Sequence, residues 1–159
     1  MSGAGSPTVD VDGAGVSVVI VAASWHEVVM NGLIAGAQRE CDRLGASHRL
    51  VRVPGSFELP VVAQEYAADP GVEAVICLGV IIRGGTPHFD FVASATTDGL
   101  TRVALDTRTP VGFGILTTDN EQQALDRAGL PSSPEDKGAE AAAAAICTAL
   151  VLRGCRAVG

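Results

Sequence analysis

The chain repeats one pattern: a short, dense apolar run, then a longer stretch with apolar residues at helical spacing. Val16 to Ala22 is rich in β-branched residues and predicts a buried strand. Ser24 and Glu27 follow in the S-x-x-E spacing of a capping box. Val29, Leu33, Ala37, Cys41 and Leu44 then recur at helical intervals, which predicts a helix to about Gly45. Leu50 to Val53 reads as a short second strand. Pro54 and Gly55 break the chain, with Ser56 as a plausible N-cap and Glu58 in the first turn of a helix. Pro60 fits that helix only because it comes early, and Asp69-Pro70-Gly71 ends it.

Ala74 to Ile82 is apolar throughout, as expected of a strand covered on both faces. Thr86 and Pro87 predict the start of a helix that runs to about Leu105. Val111 to Leu116 is a fourth strand. Thr118 and Glu121 read as a cap for a helix to Ala128, and Ser133, Pro134 and Asp136 open an Ala-rich last helix reaching about Arg156. The order β-α-β-α-β-α-β-α-α implies a parallel sheet of four strands with helices on both faces, a three-layer α/β sandwich. Residues 1–14 read as a flexible Gly/Ser/Asp tail, leaving 15–159 as one domain. The tail lacks the basic start and apolar core of a targeting segment.

Composition narrows the function classes. The formal charge is −7 and aromatics are 4%, which speaks against nucleic acid as a partner because phosphate contacts need a basic surface. Ala141 to Leu152, the most apolar stretch, falls short of the about 20 residues of a membrane span. Cys41, Cys77, Cys147 and Cys155 form no CxxC pair and lie in apolar runs, which points to reduced, buried thiols of a cytoplasmic protein. With three histidines and no HExxH, a protein-bound metal is not expected.

In open α/β sheets, ligands bind beyond the carboxyl ends of the strands. Ser24-Trp25-His26, Gly55-Ser56-Phe57-Glu58, Arg83 to His88, Phe113-Gly114 and Thr117-Thr118 all fall at that edge. The Gly84-Gly85-Thr86 turn enters a helix, where free amides and the helix dipole favour a phosphate; it reads equally as an ordinary strand-to-helix turn. His88 is suited by residue type to proton transfer near neutral pH, or is a surface histidine. Trp25 is a stacking platform for a flat ring or an edge-of-core residue. Glu58 accepts from hydroxyls or merely complements a helix dipole. Arg127 suits a ligand or the end of its own helix.

Four segments carry a resemblance to the lumazine synthase family, whose product is the riboflavin precursor. They are V-P-G-S-F-E-L-P at 53–60, G-V-I-I-R-G-G-T-P-H-F-D at 79–90, G-I-L-T-T at 114–118, and A-L-D-R-A-G at 124–129 with the later D-K-G at 136–138. The resemblance implies a flavodoxin-like fold and a condensation of 5-amino-6-(D-ribitylamino)uracil with 3,4-dihydroxy-2-butanone 4-phosphate, releasing phosphate and water without metal or organic cofactor. It implies that Trp25 stacks on the pyrimidine, that Ser56, Phe57 and Glu58 hold the ribityl chain, and that Val80, Ile81 and Ile82 meet the pyrimidine's polar edge. Gly85 and Thr86 would form the phosphate loop and His88 would move protons. Phe113, Arg127 and Lys137 would come from a neighbouring subunit or close the site, Arg127 on phosphate, Phe113 over the ring and Lys137 near the pyrimidine. Gly85 departs from the larger residue that family members often carry, so a side-chain contact is lost. The link Leu130 to Asp136 is longer than that of shell-forming members, which favours a free homopentamer with sites shared between subunits. The alternatives on the same scaffold are a non-catalytic flavin- or lumazine-binding protein and a shell-forming protein.

Overall fold

A computed structural model describes residues 5–159. β1 (Ser17–Ala23), β2 (Ser47–Val53), β3 (Ala74–Ile82) and β4 (Val111–Thr118) form one parallel sheet in the order β2-β1-β3-β4. The connecting helices are α1 (Glu27–Leu44), α2 (Leu59–Ala67), α3 (His88–Thr107), α4 (Glu121–Leu125) and α5 (Lys137–Ala157), with a 3-10 turn at Ser56–Glu58 before α2.

Strand side chains alternate between two cores, as the period of two requires. Val18, Ile20 and Ala22 with Ala74, Ile76 and Leu78 face α1, α4 and α5. Val19 and Val21 with Val75 and Cys77 face α2 and α3. The central strands are therefore apolar on both faces, and the three-layer flavodoxin-like arrangement follows.

Several helix starts differ from the sequence expectation. Ser24 caps nothing: its hydroxyl donates to the Val53 carbonyl at 2.8 Å and so ties the ends of β1 and β2. His26, at φ 60°, stands at the N-cap of α1 instead. Thr86 gives way to Pro87 at the N-cap of α3. Thr118 belongs to β4, and Asn120 caps α4 by accepting from the Gln123 amide at 3.0 Å. α4 ends at Leu125 rather than Ala128, because residues 126–136 fold into a compact link. Asp126 accepts from the Glu135 amide and Arg127 from the Lys137 amide, at 3.1 and 3.0 Å. Of the three residues expected to open α5, Ser133 and Pro134 lie in the link, with the Ser133 hydroxyl donating to the Leu125 carbonyl, and Asp136 alone caps the helix, accepting from the Ala139 amide at 2.9 Å.

That link lies on α1 because three glycines leave room for it. A Cβ at Gly32 would sit 2.3 Å from the Ala128 carbonyl oxygen, one at Gly36 2.2 Å from an Asp136 carboxylate oxygen, and one at Gly138 2.0 Å from the Leu33 carbonyl oxygen. Asp136 also accepts from Arg39 of α1 at 2.6 Å. The backbones of α1 and α5 thus meet directly at Gly138.

Residues 1–4 of the expected tail lie outside the described residues. Within them, Val9 and Val11 pack against the α1–α5 core, Arg43 donates to the Val9 carbonyl at 2.8 Å, and the Gly13 amide donates to Leu44 at 2.7 Å. The segment from Val9 to Gly13 is docked. α5 extends beyond the apolar run at 141–152 to 21 residues. By length and composition it could cross a membrane, but it carries one of the two cores on its inner face.

The thiols divide by depth. Burial pushes Cys77 up to about 12; burial, and then Asp42 and Glu40, do the same for Cys41. Cys147 is half-buried and Cys155 is exposed near the end of α5, so the expectation of four buried thiols holds for two. At pH 8 a thiol near pKa 12 is thiolate to about one part in ten thousand, and the thiolate is the reactive form. A maleimide should therefore label Cys155 within minutes and spare Cys41 and Cys77 until the protein is unfolded. Peptide mass mapping checks this, and prompt labelling of Cys77 would contradict the packing described.

Candidate functional site

The sheet order reverses direction between β1 and β3, and the carboxyl ends of the strands open there into a cleft. Its volume is about 380 Å³, and its wall is assembled from four separate stretches of chain. The turn after β1 supplies Trp25 and His26, the turn after β2 supplies Gly55 to Glu58, the end of β3 supplies Val80, Ile81 and Ile82, and the entry to α3 supplies Gly84, Thr86 and His88. Ten of the thirteen expected site residues concern this edge, and nine of them line the cleft; Gly85 does not.

Trp25 is 68% exposed, so its ring is a free face and not an edge of the core. The ring runs past Gly55, where a Cβ would come within 3.5 Å of it. Phe57, at 64% exposure, adds a second open aromatic. Ser56 is buried, and its hydroxyl has no hydrogen-bond partner among the described residues. A buried polar group without a partner costs stability, and this one lies in the wall of a cleft that a hydroxylated ligand could enter. One Glu58 oxygen accepts from the Gly55 amide at 2.9 Å, which fixes the carboxylate at the cleft wall. Thr86 and His88 are exposed at the first turn of α3, where amides left unpaired by the helix point outward.

His26 is the lining residue that the sequence marks least. It holds a left-handed backbone, which costs a side-chain-bearing residue about 1–2 kcal/mol. No periodicity or capping signal announces such a conformation. Its position directly after Trp25, at a strand end, was the only pointer. Phe89 and Val92, on the inner side of α3, close the cleft floor.

The remaining expected residues are elsewhere. Phe113, Arg127 and Lys137 line a second hollow of about 260 Å³ with Thr117 and Thr118, along β4 at the sheet edge. Arg127 donates to the Gln123 carbonyl at 2.8 Å. Lys137 lies between Glu135 and Glu140, at 2.7 and 2.8 Å. Burial alone would lower its pKa, but the hydrogen bonds it donates to those two carboxylates hold it above the ordinary lysine value. The backbone bond between Lys137 and Arg127 keeps the two cations side by side. The cleft under Trp25 has no lysine or arginine in its wall, and the hollow has two.

Residues 15–153 match the family model described as 6,7-dimethyl-8-ribityllumazine synthase. A protein of that name from Leifsonia xyli subsp. xyli is 63% identical over 158 residues, covering 98% of this chain and 99% of its own. Another from Clavibacter sepedonicus is 59% identical over 159 residues, with the same coverage. A third, from a Nocardioides strain, is 60% identical over 155 residues, 96% of each chain.

Proposed function

The chain belongs to the 6,7-dimethyl-8-ribityllumazine synthase family and is a transferase of riboflavin biosynthesis, and we propose that its substrates meet in the cleft beneath Trp25. It condenses 5-amino-6-(D-ribitylamino)uracil with 3,4-dihydroxy-2-butanone 4-phosphate, releasing phosphate and water. The observation that carries the assignment of the site is the convergence of four distant stretches, each with the chemistry one part of the substrates needs, on one wall.

In this reading the pyrimidine stacks on Trp25, a flat, exposed indole face. Its polar edge meets the backbone at Val80, Ile81 and Ile82. The ribityl chain lies along the Ser56–Glu58 turn, its hydroxyls reaching the Glu58 carboxylate, with Phe57 covering the chain. The butanone phosphate sits at Gly85 and Thr86, where amides at the start of a 20-residue helix favour an anion. The 5-amino group attacks the ketone and loses one water to give an imine, and phosphate leaves by elimination to an enol that tautomerises to a carbonyl. The ribitylamino nitrogen closes the ring on that carbonyl with loss of a second water. His88, beside the phosphate turn, moves the protons. Holding both substrates in one geometry supplies much of the acceleration.

A phosphate in this cleft requires cations that its own wall does not contain. We place Arg127, Lys137 and Phe113 in the cleft of an adjacent copy, around a cyclic homopentamer. Support comes from their grouping in one hollow at the edge strand, which shares no lining residue with their own cleft. A head-to-tail interface closes into a five-membered ring when each neighbour is turned by one fifth of a circle. The four unpaired thiols are in keeping with the cytoplasm.

The test is turnover by size-separated protein, with both substrates, no added metal, and lumazine followed by absorbance. Product forming in the five-chain fraction, and not in a monomer fraction, is the expected result. Tight lumazine binding without turnover would leave a binding protein in place of the synthase. An active monomer would end the shared site.

A further inference from the structure

Arg83 joins β3 to the Gly84-Gly85-Thr86 loop, and it is held from several sides. Its amide donates to the Thr118 carbonyl at 2.8 Å, which extends the β3–β4 ladder by one bond. Its Nε donates to Asp119 Oδ1 at 2.9 Å, and Nη1 reaches Asp90 Oδ1 at 3.5 Å. The guanidinium lies 4.2 Å from the centroid of the Phe89 ring, within the range of a cation–π contact. Asp119 follows directly on β4, while Phe89 and Asp90 are the second and third residues of α3. One side chain therefore fastens the first turn of α3 to the end of β4, across the base of the loop.

The loop has little other support. A Cβ at Gly84 or Gly85 would meet nothing within 4 Å, and Gly84, Gly85 and Thr86 are all exposed. Two adjacent glycines leave the backbone permissive. Anion binding by backbone amides depends on their converging on one point, so something must set the loop's shape.

We propose that Arg83 is a positioning residue for the phosphate-bearing substrate: it fixes the ends of the 84–87 loop so that the loop amides, Thr86 and His88 converge. The proposal rests on the reading of this loop as the phosphate site. Two carboxylates balance the guanidinium, so its part is geometric rather than a matter of added positive field. That distinction gives opposite signs in an experiment. By simple attraction, Asp119→Ala would tighten phosphate binding, because an anion near the site is lost. As half of a clamp, Asp119 is needed, and its loss weakens binding.

The measurement is inhibition by inorganic phosphate, together with KM for each substrate, in the assembled wild type and in Arg83→Met, Arg83→Lys, Asp119→Ala and the Met/Ala double variant. Arg83→Met and Asp119→Ala should each raise the phosphate inhibition constant and the KM for the butanone phosphate by about fivefold, the scale of an exposed charge network, with the pyrimidine KM within about twofold. The double variant should be no worse than either single one, because both break the same contact. Arg83→Lys, which keeps the charge but not the planar fork, should restore part of the loss. Unchanged phosphate inhibition in Arg83→Met, with only a lower melting temperature, would mark a structural ion pair and overturn the proposal, as would tighter phosphate in Asp119→Ala. A wild type that phosphate does not inhibit, and in which Thr86→Ala changes nothing, would overturn the phosphate reading of the loop and the proposal with it.

Discussion

Gly138→Ala should lower stability by about 3 kcal/mol, the upper end of overpacking costs, and the melting temperature by about 10 °C for a chain of this size. The added Cβ would sit 2.0 Å from the Leu33 carbonyl oxygen and 2.8 Å from its carbon, so backbone must move against backbone. A flexible side chain could swing away; a helix carbonyl that is part of an α1 hydrogen bond cannot. The effect should reach the chemistry as well, because Gly138 follows Lys137, and the displaced start of α5 carries the link that holds Arg127. Gly154 in the same helix supplies the control. It is exposed, and a Cβ there meets nothing within 4 Å. Gly154→Ala should raise stability by about 0.5–1 kcal/mol through helix propensity alone. Thermal unfolding of the two variants side by side tests the packing, and an equal response would show that α1 and α5 do not touch as described.

His88→Ala should fold as well as the parent, because the side chain is exposed at the first residue of α3. Its kcat should fall about 100-fold, the lower end of what a positioned acid–base group contributes, with both KM values little changed. The enzyme should remain well above the uncatalysed rate, since two substrates held in register react faster without any proton donor. Rate against pH should separate the roles further: a limb present in the parent and missing in the variant belongs to the imidazole. A variant that keeps full kcat would remove His88 from proton transfer and leave it as a wall of the phosphate turn.

The strands were legible because buried parallel strands are continuous apolar runs, and Ala74–Ile82 was bounded to the residue. Helix starts were harder. Ser24 and Thr118 satisfy the same S/T-x-x-E spacing as true caps, yet each hydroxyl sits where tertiary contacts, not the local helix, decide its surroundings. The Ser24 hydroxyl goes to Val53, 29 residues away, and Thr118 completes β4. Strand ends alone gave Trp25, His26, Gly55 to Glu58, Gly84, Thr86 and His88 of the cleft wall, because a parallel sheet brings those ends to one edge; Val80, Ile81 and Ile82 came from the resemblance. The glycines at 32, 36 and 138 could not be interpreted, since only the fold says which backbone lies against them. Arg83 stood within a recognisable motif, but its work depends on Asp119, 36 residues later. Phe113, Gly114, Thr117 and Thr118, expected at the cleft edge from the strand order, line the second hollow instead, while Lys137 entered by resemblance alone and periodicity had nothing to say about the hollow they share.

If each cleft is completed by a neighbouring chain's cation hollow, as proposed above, a defect and its remedy need not lie in the same polypeptide. In a ring assembled from two kinds of chain, one lacking His88 and the other lacking Arg127, some junctions pair an intact cleft with an intact hollow. Others pair two damaged halves. Two inactive proteins mixed before assembly would regain a fraction of wild-type output set by the statistics of neighbours, and a cell holding both alleles would fare better than one holding either alone.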